Sequence, residues 1–278
     1  MNTKNLKSFS YLEDGTISHS ILSIIETKEC LKPGFYKLEG VPEQWTFKPQ
    51  LSVESLPNLP LKNLNYKELD SFSAYLDNFI KSDKKEKVES LGYKHKLGLL
   101  LHGKQGTGKT VITSFYANKI IESEGIVINV NTSMINACPI LLDFLRDIRK
   151  VHTNLMLLIF DESEEVLSKM ENEFKNFLDG YSSIDNSISI FTTNYLDKIP
   201  KAIYERPSRI RFSVELKGIS DEETIRNIVK NALNRDLTDS ELKQLMGNTI
   251  DEIKEFILNE IMGADFKKKS NSKKIGFN

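Results

Sequence analysis

Several kinds of chemistry are poorly provided for in this chain. Its two cysteines, Cys30 and Cys138, stand far apart, with no Cys-x-x-Cys pair and no histidine at ligand spacing. That argues against a zinc site and against a disulfide framework. No stretch approaches the roughly 18 consecutive apolar residues that span a bilayer, and the start, Met1 to Lys7, lacks the apolar core of a signal peptide. Neither sign of charge dominates: 38 basic residues face 39 acidic ones, a net charge of −1. Composition therefore gives no global case for nucleic acid or an anionic membrane as partner. A cytoplasmic protein is expected, and abundant isoleucine, asparagine and lysine hint at an AT-rich genome, bacterial or viral. With 39% apolar and 28% charged residues among 278, the chain can bury one substantial core and a small satellite.

What is present is concentrated in the middle. Gly103-Lys104-Gln105-Gly106-Thr107-Gly108-Lys109-Thr110 fits G-x-x-x-x-G-K-[ST], the phosphate-cradling P-loop. Its glycines let the backbone wind tightly so that successive N–H groups point at phosphate oxygens. Lys109 would neutralise the β- and γ-phosphates, and the Thr110 hydroxyl would ligate Mg²⁺. The context is the required one, an apolar strand at Lys96 to Leu101 before the loop and a helix from Val111 to Ile121 after it. Residues Gly103 to Val111 are thus the expected contacts of ATP.

Next comes Leu155 to Phe160, a short continuous apolar run ended by Asp161 and Glu162. It reads as a central parallel strand that delivers two carboxylates to its carboxyl end, the edge where the P-loop also sits. Asp161 would hold Mg²⁺ through its water shell, and Glu162 would polarise the attacking water. A third strand, Ile188 to Thr193, ends at Asn194, followed by Leu196-Asp197-Lys198-Ile199-Pro200 and Glu205-Arg206-Pro207-Ser208-Arg209.

With these motifs in this order the chain resembles the AAA+ ATPases. More narrowly, it is similar to the AAA subgroup marked by a hydrophobic strand, T-N, L-D and R-P-x-R, with a preceding L-D-G that is Leu178-Asp179-Gly180 here. The resemblance covers about Lys96 to Met262. It implies that Asn194 orients the water with Glu162. It also implies that Arg206 and Arg209 are arginine fingers reaching the γ-phosphate in a neighbouring subunit, where a guanidinium fork can stabilise spreading charge. The implied fold is α/β, a parallel P-loop sheet sandwiched by helices, with a small helical C-terminal lid and a β-containing N-terminal appendage. The implied assembly is a ring, most simply a hexamer, that hydrolyses ATP to remodel or disassemble a protein partner. A nucleic-acid enzyme of the AAA+ superfamily (helicase loader, clamp loader or initiator) is the less favoured alternative, because those usually carry the finger in another motif and often a sensor-2 arginine, absent from Gly247 to Asp251.

The flanks differ in texture. Residues 1–60 hold five of the eight prolines and scattered aromatics, with a strand expected over Phe35 to Val41 between turn signals. They suit a small β domain or an extended arm, and the family resemblance makes them the candidate site for a protein client. Residues 61–95 form a linker with an apolar stripe (Leu69, Phe72, Leu76, Phe79, Ile80) that predicts a helix over 64–82, and then a charged stretch, Lys81 to Glu89, read as a turn or exposed helical face. Residues 96–217 are the ATPase core and 218–265 the lid. In the lid Ser220, Thr238 and Thr249 each stand three residues before a glutamate, predicting capping boxes. Apolar stripes follow at Ile225, Ile228, Val229 and Ala232, and at Ile253, Phe256, Ile257 and Ile261. Residues 266–278 are a basic tail, read as a solvated terminus.

Threading relatives place an aromatic–hydrophobic–glycine loop after the second core strand, Gly125 to Val130 here. Asn131 to Pro139 has neither aromatic nor glycine, which leaves Met134 and Ile135 as a weak grip or as core contacts. The approach to the P-loop, Tyr93 to Gly103, resembles the mitochondrial Rieske-protein translocases, a branch that moves a folded client without such paddles.

Overall fold

The computed structural model describes residues 8–11, 16–20, 31–43, 46–56, 66–135, 140–181 and 183–263. Four strands come first, β1 (Ser8–Tyr11), β2 (Thr16–Ser20), β3 (Gly34–Glu43) and β4 (Thr46–Glu54). Helices α1 (Asp70–Phe79) and α2 (Ser82–Ser90) lead to β5 (Lys96–His102), α3 (Lys109–Glu122) and β6 (Ile126–Val130). Then follow α4 (Thr132–Ile135), α5 (Ile140–Val151), β7 (Met156–Phe160), α6 (Glu164–Lys169), α7 (Glu171–Asp179) and β8 (Ser187–Thr193). The chain closes with α8 (Lys201–Tyr204), β9 (Phe212–Glu215), α9 (Glu222–Leu233), α10 (Asp239–Leu245) and α11 (Ile250–Met262).

The nine strands among the described residues belong to one sheet, in the order β1-β2-β4-β3-β6-β7-β8-β5-β9. From β3 to β9 every neighbouring pair is parallel, while β4, β2 and β1 add an antiparallel extension. Strands covered on both faces need apolar side chains throughout. Every residue of β7 and β8 is buried, including Ser187 and Ser189. Phe160 and Phe191 stack with centroids 4.7 Å apart on adjacent strands, and Phe174 meets both edge-on from α7. On α5 the residues Leu141, Phe144, Leu145 and Ile148 fall on one face and are buried.

The N-terminal strands are part of this core. Gly34 to Leu38 pair in parallel register with Ile126 to Val130, and Leu38 and Leu51 are wholly buried. Phe35 and Tyr36 are core residues, whereas Phe9, Tyr11, Trp45 and Phe47 have side chains outside the described residues. The helix predicted over 64–82 is a 3₁₀ turn at Lys67–Leu69 and then α1, with Leu69, Phe72, Leu76 and Phe79 buried as the stripe predicts. The charged stretch after it is a separate helix, α2. Ile135 is buried in the core and the half-buried Met134 packs against it, while 136–139 with Cys138, the segment holding Cys30, and the tail from 264 onward lie outside the described residues.

The chain falls into two compact units, one comprising residues 1–62, 66–105 and 109–216, the other 63–65, 106–108 and 217–278. The second holds α9 to α11. Thr238 and Thr249 make the reciprocal capping boxes that their sequence predicts. The first box is displaced by one residue: Asp221, not Ser220, caps α9 by accepting from Thr224 N. A carboxylate is both a good cap and a favourable charge at a helix start, so it displaces the hydroxyl. Of the apolar stripes, Ile225, Ile228, Val229, Ile253, Phe256 and Ile257 are buried, but Ala232 and Ile261 face solvent.

Candidate functional site

Because β5 is flanked by β8 and β9 while the chain leaves it towards β6, the crevice beyond its carboxyl end is the switch point of the sheet, where ligands of such folds bind. The P-loop occupies that point. Gly106 and Gly108 have φ of 81° and 94°, values that side chains disfavour, so the loop can turn its amides inward. Lys109 opens α3 and is buried, and Thr110 and Val111 follow in the first turn.

The three hydrogens of the Lys109 ammonium are all engaged, with Gly103 O (2.8 Å), Lys104 O (3.0 Å) and Asn194 Oδ1 (2.7 Å). Two residues predicted for different roles therefore meet directly. Burial lowers the Lys109 pKa, and Asp161, Glu164 and Glu162 oppose that shift by their negative charge.

A pair of threonines fixes the acids. The Thr192 hydroxyl donates to Asp161 Oδ1 and accepts from Glu162 N at 3.0 Å. The Thr192 carbonyl accepts from both N and Oγ of Ser163. Beside it the Thr193 hydroxyl donates to Glu164 Oε2 (2.8 Å) and accepts from Tyr195 N (2.9 Å). Glu162 itself has φ of 47°. A left-handed glutamate costs about 1 kcal/mol or more and persists where surrounding contacts impose it. Sequence reasoning found Asp161, Glu162 and Asn194 but not Thr192, Thr193 or Glu164, whose roles rest on side-chain bonds from β8 to the turn and helix that follow β7. The two threonines directly before Asn194 were the available signal.

Arg206 and Arg209 are not brought to this cluster. Asp179 Oδ2, at the end of α7, lies 3.2 Å from Arg206 Nη1 and 3.5 Å from Arg209 Nε, and Arg209 Nη1 donates to Ala202 O. Their segment packs against the opposite end of β5. A Cβ on Gly98 would stand 2.2 Å from the Arg209 carbonyl oxygen, so only glycine permits this approach. Gly98 to Gly103 covers roughly 17 Å at about 3.3 Å per strand residue. The arginines are thus fixed well away from their own P-loop.

The Thr110 hydroxyl and the Asp161 carboxylate are hard oxygen donors. One carboxylate is enough for Mg²⁺ when phosphate oxygens and water complete its shell, so the residues fit that ion. Among the described residues no group of three or more His, Cys, Asp or Glu could hold a metal without such a ligand.

Residues 99–217 match the family described as "ATPase family associated with various cellular activities (AAA)". The vesicular-fusion protein SEC18 of Candida albicans is 28% identical over 51% of this chain and 21% of its own length. SEC18 of Saccharomyces cerevisiae is 28% identical over 58% and 25% respectively, and the vesicle-fusing ATPase of Caenorhabditis elegans 29% over 49% and 19%. The chain thus spans about a fifth to a quarter of the length of these relatives. Among the described residues no helix is long and apolar enough to cross a membrane. The parallel sheet, the P-loop at its switch point and the matched residues make 99–217 an AAA P-loop ATPase domain, distantly similar to those of the SEC18 proteins.

Proposed function

We propose that this chain hydrolyses ATP with Mg²⁺ in an oligomeric ring, each subunit completing its neighbour's site, and couples turnover to remodelling of a protein partner. The observation that carries the reading is the separation inside one chain. Lys109, Asp161, Glu162 and Asn194 converge at the carboxyl end of the sheet, while Arg206 and Arg209 are presented elsewhere by Asp179. A self-sufficient site would have no reason to hold its cations there; Arg206, with 60% of its side chain exposed, is offered outward as a finger acting in trans must be, and Arg209, 11% exposed, would turn out when a neighbour docks.

In this reading Lys109 exchanges a carbonyl or the Asn194 amide oxygen for phosphate oxygens when ATP binds. The freed Asn194 amide and the Glu162 carboxylate then face the attacking water, Glu162 as base and Asn194 as orienting group. Thr192 keeps Asp161 and Glu162 in fixed relation throughout. Mg²⁺, held through Thr110 and Asp161, supplies neutralisation of the developing phosphate charge. The SEC18 relatives are named for vesicle fusion, which favours a protein partner over nucleic acid.

The test is ATPase rate per subunit against protein concentration, repeated with mixtures of Glu162→Gln and Arg206→Ala/Arg209→Ala subunits. A rate that rises and saturates, with partial recovery in mixtures of the inactive variants, supports shared sites. A rate independent of dilution, or mixtures as inactive as their components, would refute them.

A further inference from the structure

Helix α11 brings a carboxylate onto the phosphate loop, and the hydrolysis scheme gives that group no part. Residues 106–108 belong to the same compact unit as α9 to α11. Within that unit the first turn of α11 meets the loop. The Thr249 hydroxyl caps the helix by accepting from Glu252 N, which leaves Asp251 N among the orphan donors of the helix start. Asp251 N finds its partner in the loop, donating to the Gly106 carbonyl at 3.2 Å.

The Asp251 side chain extends the contact. A Cβ on Gly106 would stand 3.0 Å from Asp251 Oδ2 and 3.1 Å from Asp251 Cβ. Gly106 therefore presents bare backbone to a carboxylate, in the left-handed conformation that also favours glycine. The carboxylate oxygen thus lies within about 4.5 Å of Gly106 Cα, and a phosphorus bound through the Gly106 amide within about 4 Å of its nitrogen. Chained together, these lengths keep the two anions within about 10 Å of each other, whichever way the phosphate sits.

An acid at the positive end of a helix is favourable in itself, but Glu252 already fills that role in the capping box. Lys254 Nζ lies 3.6 Å from Asp251 Oδ1. Both side chains are well open to water, where an ion pair neutralises little. Asp251 therefore meets an incoming nucleotide as a negative charge within about one screening length, roughly 10 Å at 0.1 M salt.

Given the loop's binding of ATP, the part of the proposed function on which this rests, we infer that Asp251 sets the affinity and charge preference of the nucleotide site. It repels the phosphates that the loop amides attract. Metal-free nucleotide, with several negative charges, is disfavoured, and the Mg²⁺ complex, whose ion cancels part of that charge, is admitted.

The test is isothermal titration calorimetry on the full chain and on Asp251→Asn, Asp251→Glu and Glu255→Gln. The ligands are ATP with EDTA, and the non-hydrolysable β,γ-imido analogue of ATP with Mg²⁺. Asp251 is 66% exposed, so its substitutions leave the core intact. Glu255→Gln makes the same change of net charge one turn further along α11. Asp251→Asn should bind metal-free ATP about tenfold more tightly and the Mg²⁺ complex about threefold, both gains shrinking between about 0.02 M and about 0.3 M salt. Asp251→Glu should stay near the native affinities, and Glu255→Gln should gain clearly less than Asp251→Asn. Unchanged or weaker binding by Asp251→Asn, an equal gain in Glu255→Gln, or a gain indifferent to salt would overturn the inference while leaving hydrolysis as proposed. A native chain that binds neither ligand would overturn the hydrolysis reading, and this inference with it.

Discussion

Lowering the pH from 7.5 to 5.0 should destabilise the chain through one buried imidazole. His152, 1% exposed at the end of α5, has its pKa pushed down to about 4, by burial first and then by the Arg149 guanidinium, with the nearby Leu31 backbone opposing the shift. In the unfolded chain an unperturbed histidine titrates near 6.5. The fold prefers the neutral ring, so the unfolded state takes up the proton first. Stability is intact above about pH 6.5, falls as pH drops towards 4, and the loss levels off below that. Two and a half pH units correspond to about 3.4 kcal/mol at the limit, and at pH 5.0 to about 2 kcal/mol. Burial also lowers the pKa of two other histidines, His95 and His102. The measurement is therefore a difference of differences, urea unfolding of the native chain and of His152→Phe at both pH values. The native chain should lose about 2 kcal/mol more than the variant on acidification. Equal losses, with unchanged denaturant slopes, would refute the assignment. Direct NMR titration of the ring, with a midpoint near 6.5 in the folded protein, would refute it as well.

Glu162→Gln should bind ATP as the native chain does, yet turn over at least about a hundredfold more slowly, measured by phosphate release beside a nucleotide-binding titration. Asp179→Asn removes the anion that holds Arg206 and Arg209. It should lower the ATPase rate at high protein concentration several-fold while ATP affinity stays constant. Gly98→Ala drives a methyl into the Arg209 carbonyl, so thermal unfolding should show a loss of about 2 kcal/mol or more, with the ATPase rate impaired in parallel. Arg149 donates to the carbonyls of His152, Asn154 and Asn186. Arg149→Met leaves the His152 carbonyl unpaired, while the Asn186 carbonyl keeps the Met156 amide and the Asn154 carbonyl meets water, and should cost about 1–3 kcal/mol in urea unfolding.

The parts of the site that could be read from sequence are those encoded locally. A P-loop, an apolar run ended by two acids and a strand ended by Thr192-Thr193-Asn194 each declare themselves within eight residues. Their order then implied the sheet edge that gathers them. What escaped depends on pairing over long distances. Nothing in Gly34 to Leu38 signals that its parallel partner begins at Ile126. Helix α2, with Lys84, Lys85, Glu86, Lys87 and Glu89, buries no stripe and so gives no apolar period to read. The bond between Thr193 and Glu164 joins residues 29 apart and leaves no trace in either neighbourhood. The cap of α9 was missed by a single position, because Ser220 and Asp221 offer competing acceptors and only the backbone decides between them.

The parallel register of β3 with β6 bears on how the protein can be dissected. Cutting near residue 60, where composition suggests a seam, would not trim an accessory from an engine. It would strip Ile126 to Val130 of their backbone partners on one side, making β6 an edge, and uncover the apolar side chains beneath Leu38 and Leu51. The shortened ATPase would be sticky and apt to precipitate. Any pull exerted on the N-terminal strands would be felt, two strands away through β6, by the strand carrying Asp161 at its tip.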